Sequence, residues 1–316
     1  MASLADQLRT DGFIHVPSVL SGNDVRSIRE HLHARFREAD AKARDGRRRM
    51  LLPADILNDE EIWKWTLAPS VVSALKAALG DDFLMLADLQ VQRNLFGGWH
   101  TDSDTEAGAK YLFDPEYRFV KCGIYLQDNT SEWAGGIQLL KGGHRFPLRT
   151  PSVSINYFLR SKRNKAIERS NRMVVQLKAG DFLAFDSRIP HSATHLPADF
   201  KDYFFFGGAS GTSIANLPAD KTKYVLYWDA TSKAAYSDLY LQNRRGRAQA
   251  EELALPGASV EPFLTDFLRH SFPQSAPQFC AAARRAGVQL GQLPTNEAGA
   301  LDAQYRQWVS AGAARP

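Results

Sequence analysis

Between Phe83 and Trp228 the chain is written as short extended runs separated by glycine and proline turns, and this most constrains its fold. The runs are Phe83 to Asn94, Phe119 to Gln127, Ile137 to Leu140, Met173 to Leu177, Phe182 to Phe185, Tyr203 to Ala209 and Tyr224 to Trp228. Gly135-Gly136, Lys141-Gly142-Gly143 and Lys178-Ala179-Gly180-Asp181 punctuate them. Helical patterns lie before this region, as in Val25, Ile28, Leu32 and Phe36 after the Ser21 cap, Asp55 to Trp65, and Ser70 to Leu79. Further helical candidates follow at 236–253, 261–270, 276–286 and 297–311. Many short strands flanked by helices predict a mainly β, α+β fold with a jelly-roll barrel core. No repeat or linker divides the chain, so one domain over 1–316 is expected, with the barrel at about 83–230 and a helical extension at about 233–316.

Composition excludes several function classes. The 316 residues are 44% hydrophobic and 23% charged, ordinary globular values that give ample core material. The net charge of +4 falls short of a nucleic-acid signature. The two cysteines, Cys122 and Cys280, lie far apart, which argues against a disulfide framework or a cysteine zinc site. The N-terminal MASLADQLRTDGF lacks a basic region followed by an apolar core, and no apolar stretch is long enough to span a bilayer. The expected setting is cytoplasmic, with neither nucleic acid nor membrane as partner; oligomeric state is left open.

Within the strands, Trp99-His100-Thr101-Asp102 places an imidazole and a carboxylate two residues apart. On an extended strand both point to one side. A third ligand would complete the 2-His-1-carboxylate face used for non-haem Fe(II) oxygen chemistry. His191, after Asp186-Ser187-Arg188-Ile189-Pro190, ranks first for that role, ahead of His195; His144 sits in a Gly-rich turn next to Arg145, and His15 and His270 have no carboxylate companion at useful spacing. His31 and His33 cannot share a helix face and are expected to be solvated. Gln90, Gln92 and Asn94 share one parity, a polar row expected to line a pocket leading towards His100. Residues 145–172 carry eight Lys and Arg against Glu168 alone. A solvated loop and a flap that recruits an anionic substrate are both open readings of that stretch.

Three blocks carry a resemblance. They are Trp99-His100-Thr101-Asp102, Gly135-Gly136-Ile137-Gln138-Leu139-Leu140-Lys141-Gly142-Gly143-His144-Arg145, and Gly180-Asp181-Phe182-Leu183-Ala184-Phe185-Asp186-Ser187-Arg188-Ile189-Pro190-His191. With the opening Asp11-Gly12-Phe13, Val16-Pro17 and Leu20, they resemble the phytanoyl-CoA dioxygenase family over roughly residues 8–210. The resemblance implies a cupin-like double-stranded β-helix holding Fe(II) through His100, Asp102 and His191, with 2-oxoglutarate as cosubstrate and O₂ as oxidant. It also implies a basic anchor for 2-oxoglutarate soon after the distal histidine, at the start of the next strand. Lys201 is the match, Arg188 the reserve, and Gln90 and Asn94 fall where relatives carry polar cosubstrate contacts. Halogenases of this type have Gly or Ala in place of Asp102, so the carboxylate implies oxygenation.

The expected activity is hydroxylation of a small molecule with release of succinate and CO₂. Desaturation or cyclisation by the same iron chemistry, and a catalytically silent barrel used for binding, are the alternatives. Silent relatives tend to lose a ligand, whereas all three are present here.

Overall fold

The structure is a computed structural model that describes residues 2–42, 48, 50–94, 100–103, 110–129, 136–145, 171–194, 222–233, 235–236 and 276–291. Its helices are α1 (Leu4–Asp11), α2 (Gly22–Lys42), α3 (Pro53–Ile56), α4 (Glu60–Trp63), α5 (Pro69–Leu79) and α6 (Pro277–Arg285). Its strands are β1 (Phe13–Val16), β2 (Met50–Leu51), β3 (Leu84–Met85), β4 (Gln90–Arg93), β5 (Phe119–Tyr125), β6 (Ile137–Leu140), β7 (Arg172–Val175), β8 (Asp181–Asp186), β9 (His191–Ala193), β10 (Tyr224–Thr231) and β11 (Gln289–Leu290). The major sheet runs β1-β8-β5-β10, and both β3 and β4 pair with the far edge of β10. The minor sheet runs β7-β6-β9, and an isolated bridge between His100 and His191 extends it. Two antiparallel sheets facing each other are the expected jelly-roll, here of the double-stranded β-helix type.

Alternation along the central strands sorts side chains between two cores. Val120, Cys122 and Ile124 of β5, Phe182 and Ala184 of β8, and Leu226 and Trp228 of β10 face the helices and join α2 residues Val25, Ile28, Leu32 and Phe36. Tyr125, Leu183, Phe185 and Val225 point the other way, into the barrel, and meet Ile137, Leu139 and Val175 of the minor sheet. Both faces of β5 and β8 are covered and every residue in them is buried, with the charged Lys121, Asp181 and Asp186 among otherwise mostly apolar residues. Of the C-terminal half, residues 276–291 pack on the helical side: Phe279 meets Trp63 edge-on at 5.6 Å, and β11 pairs in parallel with β3. The other helical candidates at 236–253, 261–270 and 297–311 lie almost wholly outside the described residues.

Several expected boundaries shift for local reasons. The segment Phe83 to Asn94 is two strands, because the Asp88 carboxylate accepts the Asp229 N–H at 3.1 Å and so replaces a ladder bond with a side-chain bond. Asp55 to Trp65 is broken at Asp59, which takes an extended φ of −116° and ψ of 94° while His31 and Arg35 of α2 hold its carboxylate. His31 is therefore paired, and His33 accepts from or donates to the Tyr224 hydroxyl at 2.9 Å, so neither is simply solvated as expected. Helix α5 starts at Pro69 with Ala68 as its N-cap, two residues earlier than a Ser70 cap would have it.

Candidate active site

The barrel's open end gathers the three proposed ligands. His100 and His191 are backbone partners: His100 N donates to the His191 carbonyl at 3.0 Å, and His191 N donates back at 2.9 Å. Their rings lie 4.2 Å apart between centroids. Asp102 follows on the same side, its Oδ1 3.8 Å from His100 Nε2, while Thr101 between them is buried. Ser103 N then donates to the Ser187 carbonyl at 3.1 Å, tying this segment to the turn before His191. One ligand atom from each of His100, Asp102 and His191 lies within 4.8 Å of the others. A single ion with bonds of about 2.0–2.2 Å can therefore reach all three with small side-chain adjustment.

The electronic state of His191 fits a ligand. Burial first, and the neighbouring His100 second, lower its pKa to about 4, so the ring is neutral at neutral pH. Its Nδ1–H donates to the Ile189 carbonyl at 3.1 Å, which leaves Nε2 bearing the lone pair. Phe185 packs against the ring at 4.6 Å and limits its rotation. Two imidazoles and a carboxylate on one face, with space beside them, form a donor set suited to Fe(II).

That space is a cavity of about 90 Å³ walled by the ligands together with Gln92, Lys121, Tyr125, Phe185, Lys223 and Tyr227. Sequence reasoning missed its two lysines. Lys121 shares the inward face of β5 with Gly123 and Tyr125, and pairs across the ladder with Asp229, Nζ to Oδ1 3.2 Å. Lys223 immediately precedes β10, and burial depresses its ammonium to about 8. The Tyr125 and Tyr227 hydroxyls are 3.2 Å apart, and the Tyr227 ring closes over Gly123, where a Cβ would approach it to 2.9 Å.

Other expected residues are placed differently. Gln92 lines the cavity and donates to Gln90 Oε1 at 3.2 Å, so the polar row does face inward, but Gln90 and Asn94 stand outside the cavity wall. Arg188 also stands outside it. Its Nε and Nη2 grip the two Asp186 oxygens at 2.8 and 2.7 Å, its Nη1 donates to the Leu112 carbonyl at 2.9 Å, and it caps the Tyr117 ring. A buried guanidinium held bidentately in this way pins the 110–117 segment to the turn that presents His191. Lys201, His195 and all but the ends of 145–172 lie outside the described residues.

The buried Lys121–Asp229 pair yields a stability prediction. Asp229→Ala removes the carboxylate that pairs with a buried ammonium and is expected to cost about 3–5 kcal/mol. Replacing both residues, with Lys121→Met and Asp229→Leu, is expected to recover most of that loss in a denaturant titration. Equal loss in both proteins would show that the pair's charge is not what matters.

The sequence matches the phytanoyl-CoA dioxygenase (PhyH) family over residues 8–196. The chain belongs to that family. Its members are non-haem iron and 2-oxoglutarate-dependent oxygenases, and this PhyH chain carries the matching His-Asp-His group. Among solved structures, EctD from S. alaskensis with bound Fe superposes at a TM-score of 0.52 and 14% identity, covering 72% of this chain and 75% of that one. EctD with 2-oxoglutarate and 5-hydroxyectoine gives 0.51 and 14%, covering 72% and 74%. The apo form of ThoJ, a non-haem monooxygenase, gives 0.50 and 16%, covering 72% and 76%. At these identities the likeness is one of fold, the double-stranded β-helix. A search of curated proteins finds no significant match. Among the described residues no helix is long and apolar enough to cross a membrane.

Proposed function

We propose that this PhyH protein hydroxylates a small organic molecule, with His100, Asp102 and His191 holding Fe(II) and Lys223 anchoring the distal carboxylate of 2-oxoglutarate. One observation carries the reading: the three metal-type donors and a desolvated ammonium at the start of β10 open onto the same cavity. Bound iron and 2-oxoglutarate would supply O₂ activation coupled to decarboxylation, giving succinate, CO₂ and an oxidised C–H bond in the substrate.

The protein's own groups supply placement. Neutral His191 and the carboxylate of Asp102 offer lone pairs, and Asp102 occupies the position that halide would need. Lys121 pairs with Asp229, and the buried ammonium of Lys223 supplies cationic charge on the cavity wall for a dianionic cosubstrate. Phe185, Ile137 and the Tyr125–Tyr227 pair wall the cavity and exclude water from around the reacting groups. The surplus of Lys and Arg in 145–172 supports a substrate that itself bears an anionic group.

Anaerobic addition of Fe(II) and then 2-oxoglutarate tests the assignment. Chelation by a 2-oxo acid is expected to produce a visible metal-to-ligand charge-transfer band that neither component gives alone. A folded, iron-loaded protein with no such band would overturn the cosubstrate assignment.

A further inference from the structure

We propose that Asn94 is a positioning residue that fixes where the Lys223 ammonium enters the cavity, and that it makes no contact with the cosubstrate. The inference rests on the reading of Lys223 as the 2-oxoglutarate anchor. The β4–β10 ladder ends at the pair Arg93–Tyr224, and Asn94 carries the pairing one step beyond it. Asn94 has a left-handed φ of 52°, a conformation asparagine tolerates better than most residues, and it turns the peptide off the strand path. In place of a regular ladder step, Asn94 N donates to the Lys223 carbonyl at 3.0 Å, and Asn94 Oδ1 accepts the Lys223 N–H at 2.8 Å. Both peptide groups of Lys223 are held by this one residue.

The neighbouring peptide groups are held by side chains as well. Arg29 of α2 donates Nη1 to the Thr222 carbonyl and to the Leu126 carbonyl, each at 2.9 Å, bridging the start of β10 to the end of β5. Tyr224 N donates to Gln127 Oε1 at 2.7 Å, and the Tyr224 ring is pegged under α2 against Phe36 and His33. Alternation sends Tyr224 out towards the helix and Lys223 into the barrel. Three consecutive peptide units are thus bolted in place where a flexible four-carbon side chain must deliver a charge. Displacement of a charged group by about 1 Å is enough to cost 10²-fold in a positioned site.

Calorimetric titration of 2-oxoglutarate into anaerobic, Fe(II)-loaded protein tests the proposal with four variants and the parent. Asn94→Gly keeps the left-handed backbone and removes the acceptor, and is expected to weaken 2-oxoglutarate at least tenfold while Fe(II) affinity stays within twofold. Asn94→Asp keeps Oδ1 as acceptor and is expected to bind within about threefold of the parent, which also covers the case in which the glycine variant does not fold. In the double variant Asn94→Gly/Lys223→Ala, the affinity is expected to match Lys223→Ala alone, because one residue acts through the other. Additive losses, or Asn94→Asp falling as far as Lys223→Ala, would make Asn94 a direct contact and overturn the proposal. Unchanged affinity in Asn94→Gly would overturn it too. If Lys223→Ala itself binds normally, the anchor reading fails first and takes this inference with it.

Discussion

Asp102→Ala protein is expected to fold normally, to lose Fe(II) affinity by more than about 100-fold, and to form no succinate above background. The magnitude follows from position. Asp102 is the only carboxylate among the three grouped donors, and it would offset part of the charge of a bound dication beside two imidazoles. Removing it leaves two adjacent histidines whose backbones stay locked to each other, so the barrel mouth keeps its shape while the metal loses its anionic ligand. Equilibrium binding of Fe(II) under anaerobic conditions, followed by succinate analysis, checks both halves. Retained turnover would remove Asp102 from the metal face.

Lys223→Ala is expected to weaken 2-oxoglutarate by between about 10- and 100-fold, the loss of one charge-assisted contact worth about 1.5–3 kcal/mol. The pH dependence is as distinctive as the loss. Burial lowers the ammonium to about 8, so the charged form is present at pH 7 and disappears as pH rises through 8. In the parent protein, 2-oxoglutarate affinity is therefore expected to fall about tenfold between pH 7 and pH 9, with proton uptake on binding over the alkaline part of that range. Lys223→Arg, whose guanidinium stays charged, is expected to bind with a flat profile. Calorimetry at several pH values in buffers of different ionisation enthalpy measures both effects. An unchanged affinity in Lys223→Ala would pass the anchoring role to another base, with Lys121 next in the same cavity.

The metal ligands were legible in the sequence because short-range geometry and chain order determine them. His100 and Asp102 share a side by strand alternation, and His191 closes a block whose strand–turn–strand pattern survives folding intact. The barrel was legible for the same reason, since β5, β8 and β10 follow runs whose apolar and polar parities are visible in one dimension. Lys223 could not be singled out, because its place on the cavity wall follows from the pairing of β10 with β4 and β5, partners distant in sequence, while the expected anchor Lys201 lies outside the described residues. Arg188 stands near His191 in sequence, yet Asp186 two residues earlier captures it, and nothing in the spacing distinguishes a captured guanidinium from an available one. Asn94 shares its parity with Gln92 but turns left-handed at the strand end, so its amide addresses a backbone instead of the cavity. Helix breaks such as that at Asp59 came from tertiary partners, His31 and Arg35, that local pattern does not contain.

The reciprocal backbone bonds between His100 and His191 have a consequence for how the protein acquires its metal. In small zinc domains the ligands meet only when the ion arrives, and loading is inseparable from folding. Here main-chain bonds make the two imidazoles neighbours, Leu139 pairs with His191 within the minor sheet, and Phe185 of the major sheet packs on the His191 ring. Loading is then expected to be docking on a formed surface. A chelator should strip the site and leave the shape behind, so the empty protein persists as a receptor in its own right, waiting on supply rather than on refolding.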